Sequence, residues 1–364
     1  MEVLELFKKL ITSKSETPDD GGLLDFIQCY LPEYTAKRID IEDTKNLFIY
    51  KKFAEGEHLC FAGHVDVVPA GENWDTNPYE LVEKDGYLYG RGTQDMKSGL
   101  AAFIQAVHDA KEFQGTLSLL LTSDEEGDAK HGTIKVLEYL KEISSLPDAV
   151  VVAEPTCELA FGDAIKVGRR GSINGYLTLK GKQGHAAYPE KAINPIHSLS
   201  RVLGNMAGVN IDDGDEFFAP SKFVVTDIRS GMQVTNVTPN ELKMMFNVRN
   251  TTLTTQKEVK MFVDKHLVGL DYELELTQGS YPFRTNTSSK VVQNIDKAIE
   301  KVTGIKPKHS TAGGTSDARF VALFGVDVIE FGVKNDSIHA INERTTADEV
   351  ENLYKVFREL ISLW

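Results

Sequence analysis

Residues 119–128, LLLTSDEEGD, run from an apolar stretch straight into Asp124, Glu125, Glu126 and Asp128. Carboxylates this close repel one another and resist burial, so a cation is expected to meet them. Other stretches end in the same way. GHVDVV carries His64 and Asp66, GRGTQDMK sets Asp95 just before a helix, VVAEPT ends in Glu154, and SIHAINE carries His339. Imidazole together with carboxylate suits Zn²⁺, with Co²⁺ or Mn²⁺ as substitutes. His64, Asp95, Glu126, Glu154 and His339 are five side chains. A single catalytic zinc keeps about three protein ligands and an open position. Two metal ions about 3.5–4 Å apart, sharing one carboxylate, accommodate the set. Asp95, short and between the others in chain order, is the expected bridge.

Local geometry adds two roles. In an extended segment residues i and i+2 share a face, so Asp66 is expected to lie beside His64 and accept the proton of its second ring nitrogen. Neighbouring residues diverge, so Glu126 is expected to bind metal while Glu125 faces the reacting water as general base. Asp124 and Asp128 read as solvated turn residues. His58, His108, His131, His197, His266 and His309 lack a comparable acidic pattern and read as ordinary histidines.

The elements that must position these residues are legible as periodicities. LCFAGHVDVV, TLSLLLT, DAVVVAE and VDVIEFGV are apolar runs of strand length. Between them MKSGLAAFIQAVHDAKEF and GTIKVLEYLKE have helical spacing. Strands apolar on both faces and alternating with helices predict an α/β fold with a mixed, largely parallel sheet flanked by helices. Such a sheet gathers ligands at the carboxyl ends of its strands. After about residue 172 the rhythm becomes β-α-β-β-α-β, with NPIHSLSRVLGNMAG as its first helix, the pattern of a ferredoxin-like α+β unit. The expected organisation is a discontinuous metal-binding domain over 1–172 and 286–364, interrupted by a smaller domain over 173–285.

The formal net charge of −14 argues against nucleic acid as a partner, because phosphate binding needs a basic surface. No apolar run is long enough to span a bilayer, and no secretory leader is read at the N-terminus. Cys29, Cys60 and Cys157 are far apart in the chain and read as reduced, mostly buried thiols of a cytoplasmic protein.

GHVDVVP, GRGTQDMKSG, TSDEEGD, AEPT, GRRGS, KGKQGHAAYPEKAINP, NVTP, FNVR, GGTSDARF and IHAINE follow one another in the order found in a known family. On these motifs the chain resembles the co-catalytic zinc aminoacylase/carboxypeptidase family over nearly its whole length. The resemblance implies a zinc-peptidase-like fold, two Zn²⁺ per subunit and a homodimer formed through the ferredoxin-like domain. It places His64 and Glu154 on one zinc, Glu126 and His339 on the other, Asp95 between them and Glu125 as base. It also implies a cis peptide between Asp95 and Met96. His185 is similar to an oxyanion-binding histidine delivered by the partner subunit, with Asn236 arriving the same way. Arg169 and Arg249 match substrate-binding arginines, and Ser172, Gly314 and Thr315 would add hydrogen bonds. GRRGS with GGTSDARF points to the branch that cleaves N-succinyl-LL-2,6-diaminopimelate. Acetylornithine deacetylase, dipeptidase and a non-enzymatic zinc-binding scaffold dimer are the competing readings. Thr93 and Gln94 depart from the small residues usual before the bridging aspartate, and Arg284 stands where an apolar residue is usual.

Overall fold

The computed structural model describes all 364 residues. The chain divides into two compact units. The larger comprises Met1–Gly168, Arg284–Ser310 and Ser316–Trp364, and the smaller comprises Arg169–Phe283 with Thr311–Thr315. The boundaries expected at 172/173 and 285/286 thus fall a few residues earlier, and a five-residue excursion at 311–315 joins the smaller unit.

The larger unit is built on an eight-stranded sheet. Its order is Thr35–Arg38, Asn46–Lys52, Gly115–Thr122, Glu57–His64, Ala149–Val152, Asp327–Glu330, Ala164–Lys166 and Lys308–Ser310. The middle four strands, from Gly115–Thr122 to Asp327–Glu330, are mutually parallel. The first two strands in that order run antiparallel, as does the short pairing of Ala164–Lys166 against Asp327–Glu330. Apolar side chains face both ways along the central strands and all are buried in Ala149–Val152, as expected for strands covered on both faces. Register aligns their carboxyl ends. His64 pairs with Thr122, Ala62 with Val152, and Val152 with Glu330. The segments that follow must therefore diverge from one rim.

Helices cover the sheet. Lys97–Asp109 is buried from Lys97 to Val107, so it is a central helix rather than an amphipathic surface one. Phe61, Phe103 and Phe357 join strand, central helix and the C-terminal helix Ala347–Leu363, with ring centroids 5.7 and 5.2 Å from Phe61. That last helix begins in a capping box of Thr346 and Glu349. No helix is long and apolar enough to cross a membrane.

The smaller unit carries a four-stranded antiparallel sheet in the order Phe223–Ser230, Glu241–Val248, Ser172–Lys180, Tyr272–Ser280. With strands numbered by chain order this is 2-3-1-4, the ferredoxin-like arrangement. Its core side holds Ile173, Leu177, Phe223, Met244, Phe246 and Val263. The helix expected over NPIHSLSRVLGNMAG is shorter than its pattern. It spans Pro195–Ser200 and is followed by a 3₁₀ turn at Leu203–Asn205. Gly204 and Gly208 lower helix propensity where the turn replaces it.

One close approach matters for the rim. A Cβ on Gly99, in the first turn of the central helix, would lie 2.3 Å from the carbonyl oxygen of Ala153. Only glycine lets this helix press against the segment leading to Glu154. Gly99→Ala is expected to cost about 1–3 kcal/mol through overpacking. A lowered urea midpoint without loss of secondary structure would be the observed result.

Candidate metal centre

Each chemically interesting residue leaves the aligned rim by a short path. His64 is the last residue of its strand, Glu125 and Glu126 follow Thr122 in a turn, and Glu154 lies two residues beyond Val152. Asp95 ends the turn that enters the central helix, and the Asp95–Met96 peptide is cis. His339 sits in a turn after Asp327–Glu330 with φ +58°, the left-handed region that non-glycine residues rarely adopt.

These side chains converge. His64 Nε2 is 3.0 Å from Asp95 Oδ1 and 3.6 Å from Glu154 Oε1. His339 Nε2 is 3.2 Å from Asp95 Oδ2 and 3.0 Å from Glu126 Oε1. Asp95 therefore turns one oxygen to each histidine. Two sets of side chains offer ligand atoms within 4.8 Å of one another: His64 with Glu125 and Glu154, and His64 with Asp95 and Glu126. Glu125 and Glu126, adjacent in the chain, serve different sets.

His64 is positioned otherwise than the extended pattern implied. Its Nδ1 lies 2.9 Å from the main-chain oxygen of Asp66, whereas the Asp66 carboxylate is 3.6 Å away. The strand ends at His64 and the chain bends at Val65, so the i, i+2 relation of extended backbone no longer holds. The Asp66 carboxylate instead accepts the amide of Glu126 at 3.1 Å, joining two ligand-bearing segments. Asp124 also differs from expectation. It is buried, and its Oδ2 accepts the amides of Lys130 and His131 at 2.9 and 3.1 Å, closing the turn behind Glu125. Asp128 is exposed and paired with Lys130.

Electrostatics reflect crowding of like charge. Burial pushes the Glu154 carboxyl up to about 8, and the Asp95 charge adds to the rise. Burial likewise raises Glu125 well above the ordinary carboxylate range, with Glu154 and Asp317 contributing. Burial would raise Asp95 too, but hydrogen bonds from His339 and His64 overcome it and hold Asp95 low. Burial disfavours a charged His64, yet Asp95 and Glu154 outweigh it and raise this imidazole. His339 is raised to about 10 by its bonds to Asp95 and Glu126. The fit to a metal rests on this donor set, in which two imidazoles and several carboxylates point at one another.

The remaining residues of interest lie in the smaller unit. Arg169 is buried and donates from Nη1 to the Ala312 carbonyl at 2.9 Å, under Gly313, whose missing Cβ would lie 2.4 Å from Nη1. Ser172 Oγ accepts from Asn247 at 2.9 Å. Arg249 is exposed at the end of Glu241–Val248, and Gly314 is exposed beside Thr315. His185 is exposed in a two-residue strand paired with Val237–Thr238, and its Nδ1 accepts the Ala187 amide at 3.0 Å. The Asn236 carbonyl accepts the Ala186 amide at 2.9 Å. Three buried groups beside the metal ligands had no separate signal in the sequence: Arg91, Lys97 and Glu343. Each sits within or next to a motif that already drew attention, but a buried charge looks there like an exposed one.

The model of Peptidase family M20/M25/M40 matches residues 60–363. The chain belongs to that family. Among M20 relatives, a succinyl-diaminopimelate desuccinylase of Sulfurimonas denitrificans is 71% identical over 364 residues, covering 100% of both chains. Another so named, from a Nitratiruptor species, is 64% identical and covers 99% of each. An M20 family metallo-carboxypeptidase from Sulfolobus solfataricus has the same fold, with a TM-score of 0.77 at 18% identity over 100% of this chain and 99% of that one. The M20 fold implies a divalent metal, and the donor set at the rim is chemically suited to one.

Glu154 yields a pH test. Its carboxyl stands at about 8 in the folded chain against an ordinary 4.5, so the folded state binds this proton more tightly than the unfolded state. The associated stability is complete below pH 4.5 and is lost as the pH rises through 8. In chelator, urea midpoints should fall across that window, and the Glu154→Gln variant should lack this part of the fall. A divalent cation, which needs the ionised ligand, should restore stability at the upper end.

Proposed function

We propose that this chain hydrolyses the amide of N-succinyl-LL-2,6-diaminopimelate, releasing succinate and LL-2,6-diaminopimelate, in lysine and diaminopimelate biosynthesis. The hydrolytic part is carried by Asp95, which faces His64 with one oxygen and His339 with the other while Glu125 stands in the neighbouring set. The succinyl part is supported by the full-length likeness to desuccinylases.

In this reading His64 and Glu154 would hold one Zn²⁺ and Glu126 and His339 a second, with Asp95 placed to serve both and Co²⁺ or Mn²⁺ able to substitute. Bound there, the ions would polarise the amide carbonyl and bring the pKa of water toward about 7. Glu125 removes a proton from the attacking water and returns it to the leaving nitrogen, which also takes up the second water proton, so that water and amide become carboxylate and ammonium. Its raised pKa suits both halves of that transfer. The main-chain oxygen of Asp66 fixes the tautomer of His64, and the Asp66 carboxylate holds the amide of Glu126.

Arg169 and Arg249 bind the substrate's carboxylates, which guanidinium forks fit bidentately. Ser172, Gly314 and Thr315 add hydrogen bonds. The chain acts as a homodimer, in which the partner subunit's His185 donates to the developing oxyanion and the partner subunit's Asn236 contacts the substrate. Cys60 and Cys157 are buried and Cys29 is exposed, and none forms a disulfide, in keeping with a cytoplasmic setting.

Succinate release should be faster than acetate release from N-acetylornithine under the same conditions, should stop in chelator and should return with Zn²⁺. Preference for the acetyl substrate would overturn the succinyl assignment. Glu125→Gln should lower turnover by about 10²–10⁴-fold with metal content unchanged. Near-normal turnover in that variant would remove Glu125 from the role of base.

A further inference from the structure

Beneath the ligands lies a buried ion pair that none of the roles above uses. Glu343 is 0% exposed and Arg91 2% exposed, and they meet at 2.7 Å. Glu343 Oε1 accepts the amides of Gln94 and Asp95 at 2.7 and 3.1 Å. Its Oε2 accepts the Gly92 amide at 3.0 Å beside the bond from Arg91 Nη1. The Glu343 carbonyl accepts the Gly90 amide at 3.1 Å. One side chain from the segment after His339 thus organises the turn that presents Asp95. Burial raises the cost of keeping this carboxylate charged, and a full set of donors is what offsets such a cost.

Arg91 reaches the opposite way. It donates to Ala70 O at 3.2 Å, in the segment that follows His64 and Asp66, and to Ala340 O at 3.3 Å. A longer contact of 3.5 Å reaches the carbonyl of His339 itself. Three ligand-bearing segments therefore meet on a single guanidinium–carboxylate pair. A second lock repeats the connection between two of them. The Gln94 side chain donates to Arg344 O at 2.8 Å and to the Asp336 carboxylate, and accepts the Ser337 amide at 2.9 Å. Gln94 is one of the positions at which this chain departs from the small residues implied by its resemblance.

Neither lock touches the side chains of the ligands. The Arg91–Glu343 pair acts on main chain, at the Asp95 amide and around the His339 carbonyl, while Gln94 ties down Asp336, Ser337 and Arg344 on either side of His339. His339 has φ +58°, and a non-glycine residue there persists only where its surroundings hold it. We propose that the Arg91–Glu343 pair, seconded by Gln94, is the positioning device that fixes Asp95 and His339 at metal-binding separation. This rests on the metal reading above. A pair that merely stabilised the fold would be equally buried, but its loss would lower the melting temperature without altering cation affinity in the folded chain.

The experiment is Zn²⁺ titration of the full chain against a chromophoric chelator, for wild type, Glu343→Gln, Arg91→Met, Arg91→Lys and Gln94→Ala. Thermal melts of the metal-free proteins are recorded alongside. Glu343→Gln and Arg91→Met should bind Zn²⁺ about 10–100-fold more weakly while still folded, the range typical when a ligand's supporting partner is lost. Arg91→Lys should not restore affinity, because an ammonium cannot supply the guanidinium fork. Gln94→Ala should weaken binding less, and it keeps the question open to measurement if Glu343→Gln fails to fold. The Co²⁺-loaded variants should also show altered visible absorption. Folded variants with wild-type Zn²⁺ affinity, whatever their melting temperatures, would overturn the proposal. Failure of wild type itself to take up Zn²⁺ would instead overturn the metal reading, and this proposal with it.

Discussion

Negative charge gathered at one rim of a buried sheet is the constraint on which the rest depends. Asp95, Glu125, Glu126 and Glu154 approach within a few ångströms of two histidines, and Asp66 and Asp317 stand close behind. Such a cluster cannot be fully ionised without a compensating cation. In the chain alone the compensation comes from protons. Glu125 and Glu154 are pushed toward their neutral forms and both imidazoles toward their charged forms, while the two imidazoles hold Asp95 low. A divalent cation replaces those protons, because its ligands must be neutral imidazole and ionised carboxylate. The protonation pattern is thus the complement of the metal-bound state.

The fold makes this arrangement precise at modest cost. Parallel register pairs His64 with Thr122 and Ala62 with Val152, so His64 and the segments leading to Glu125, Glu126 and Glu154 leave one rim within a few residues of their strands. The central helix, buried almost throughout and pressed onto Ala153 through Gly99, carries the turn of Asp95 against the segment of Glu154. Short loops on rigid elements restrict where ligand side chains can go. His339 lies nine residues past Glu330, and there buried hydrogen bonds from Glu343, Arg91 and Gln94 join one turn to another. Where the sheet alone does not dictate position, hydrogen bonds between turns do.

This explains what could be read from the chain and what could not. The central strands were legible because they are long apolar runs, and the ligand candidates because acidic or imidazole residues end those runs. The ferredoxin-like order was legible from its alternation of periods. The Asp66 contact was misjudged because it depends on a bend at Val65, and neighbouring residues carry no periodic sign of it. Asp124 was misjudged because a turn aspartate bonding to amides six and seven residues later resembles a solvated one. Glu343 and Arg91 are 252 positions apart, and nothing local to either reveals that they pair in the interior.

The two kinds of work proposed for this chain are also separated along it. Every metal-ligand candidate, and Glu125, belongs to the larger unit, whereas Arg169, Ser172, Arg249, Gly314 and Thr315 belong to the smaller one. The excursion at 311–315 is the telling case, since larger-unit segments flank it on both sides and it nonetheless packs with the smaller unit through Arg169 and Ala312. Amide hydrolysis places the same demands on the metal-bearing rim whatever acyl group is removed. Recognition of that group does not, and side chains on a separately folded unit can change without disturbing the charge balance at the rim. A fold shared with a metallo-carboxypeptidase at 18% identity shows how far sequence can diverge while this architecture persists.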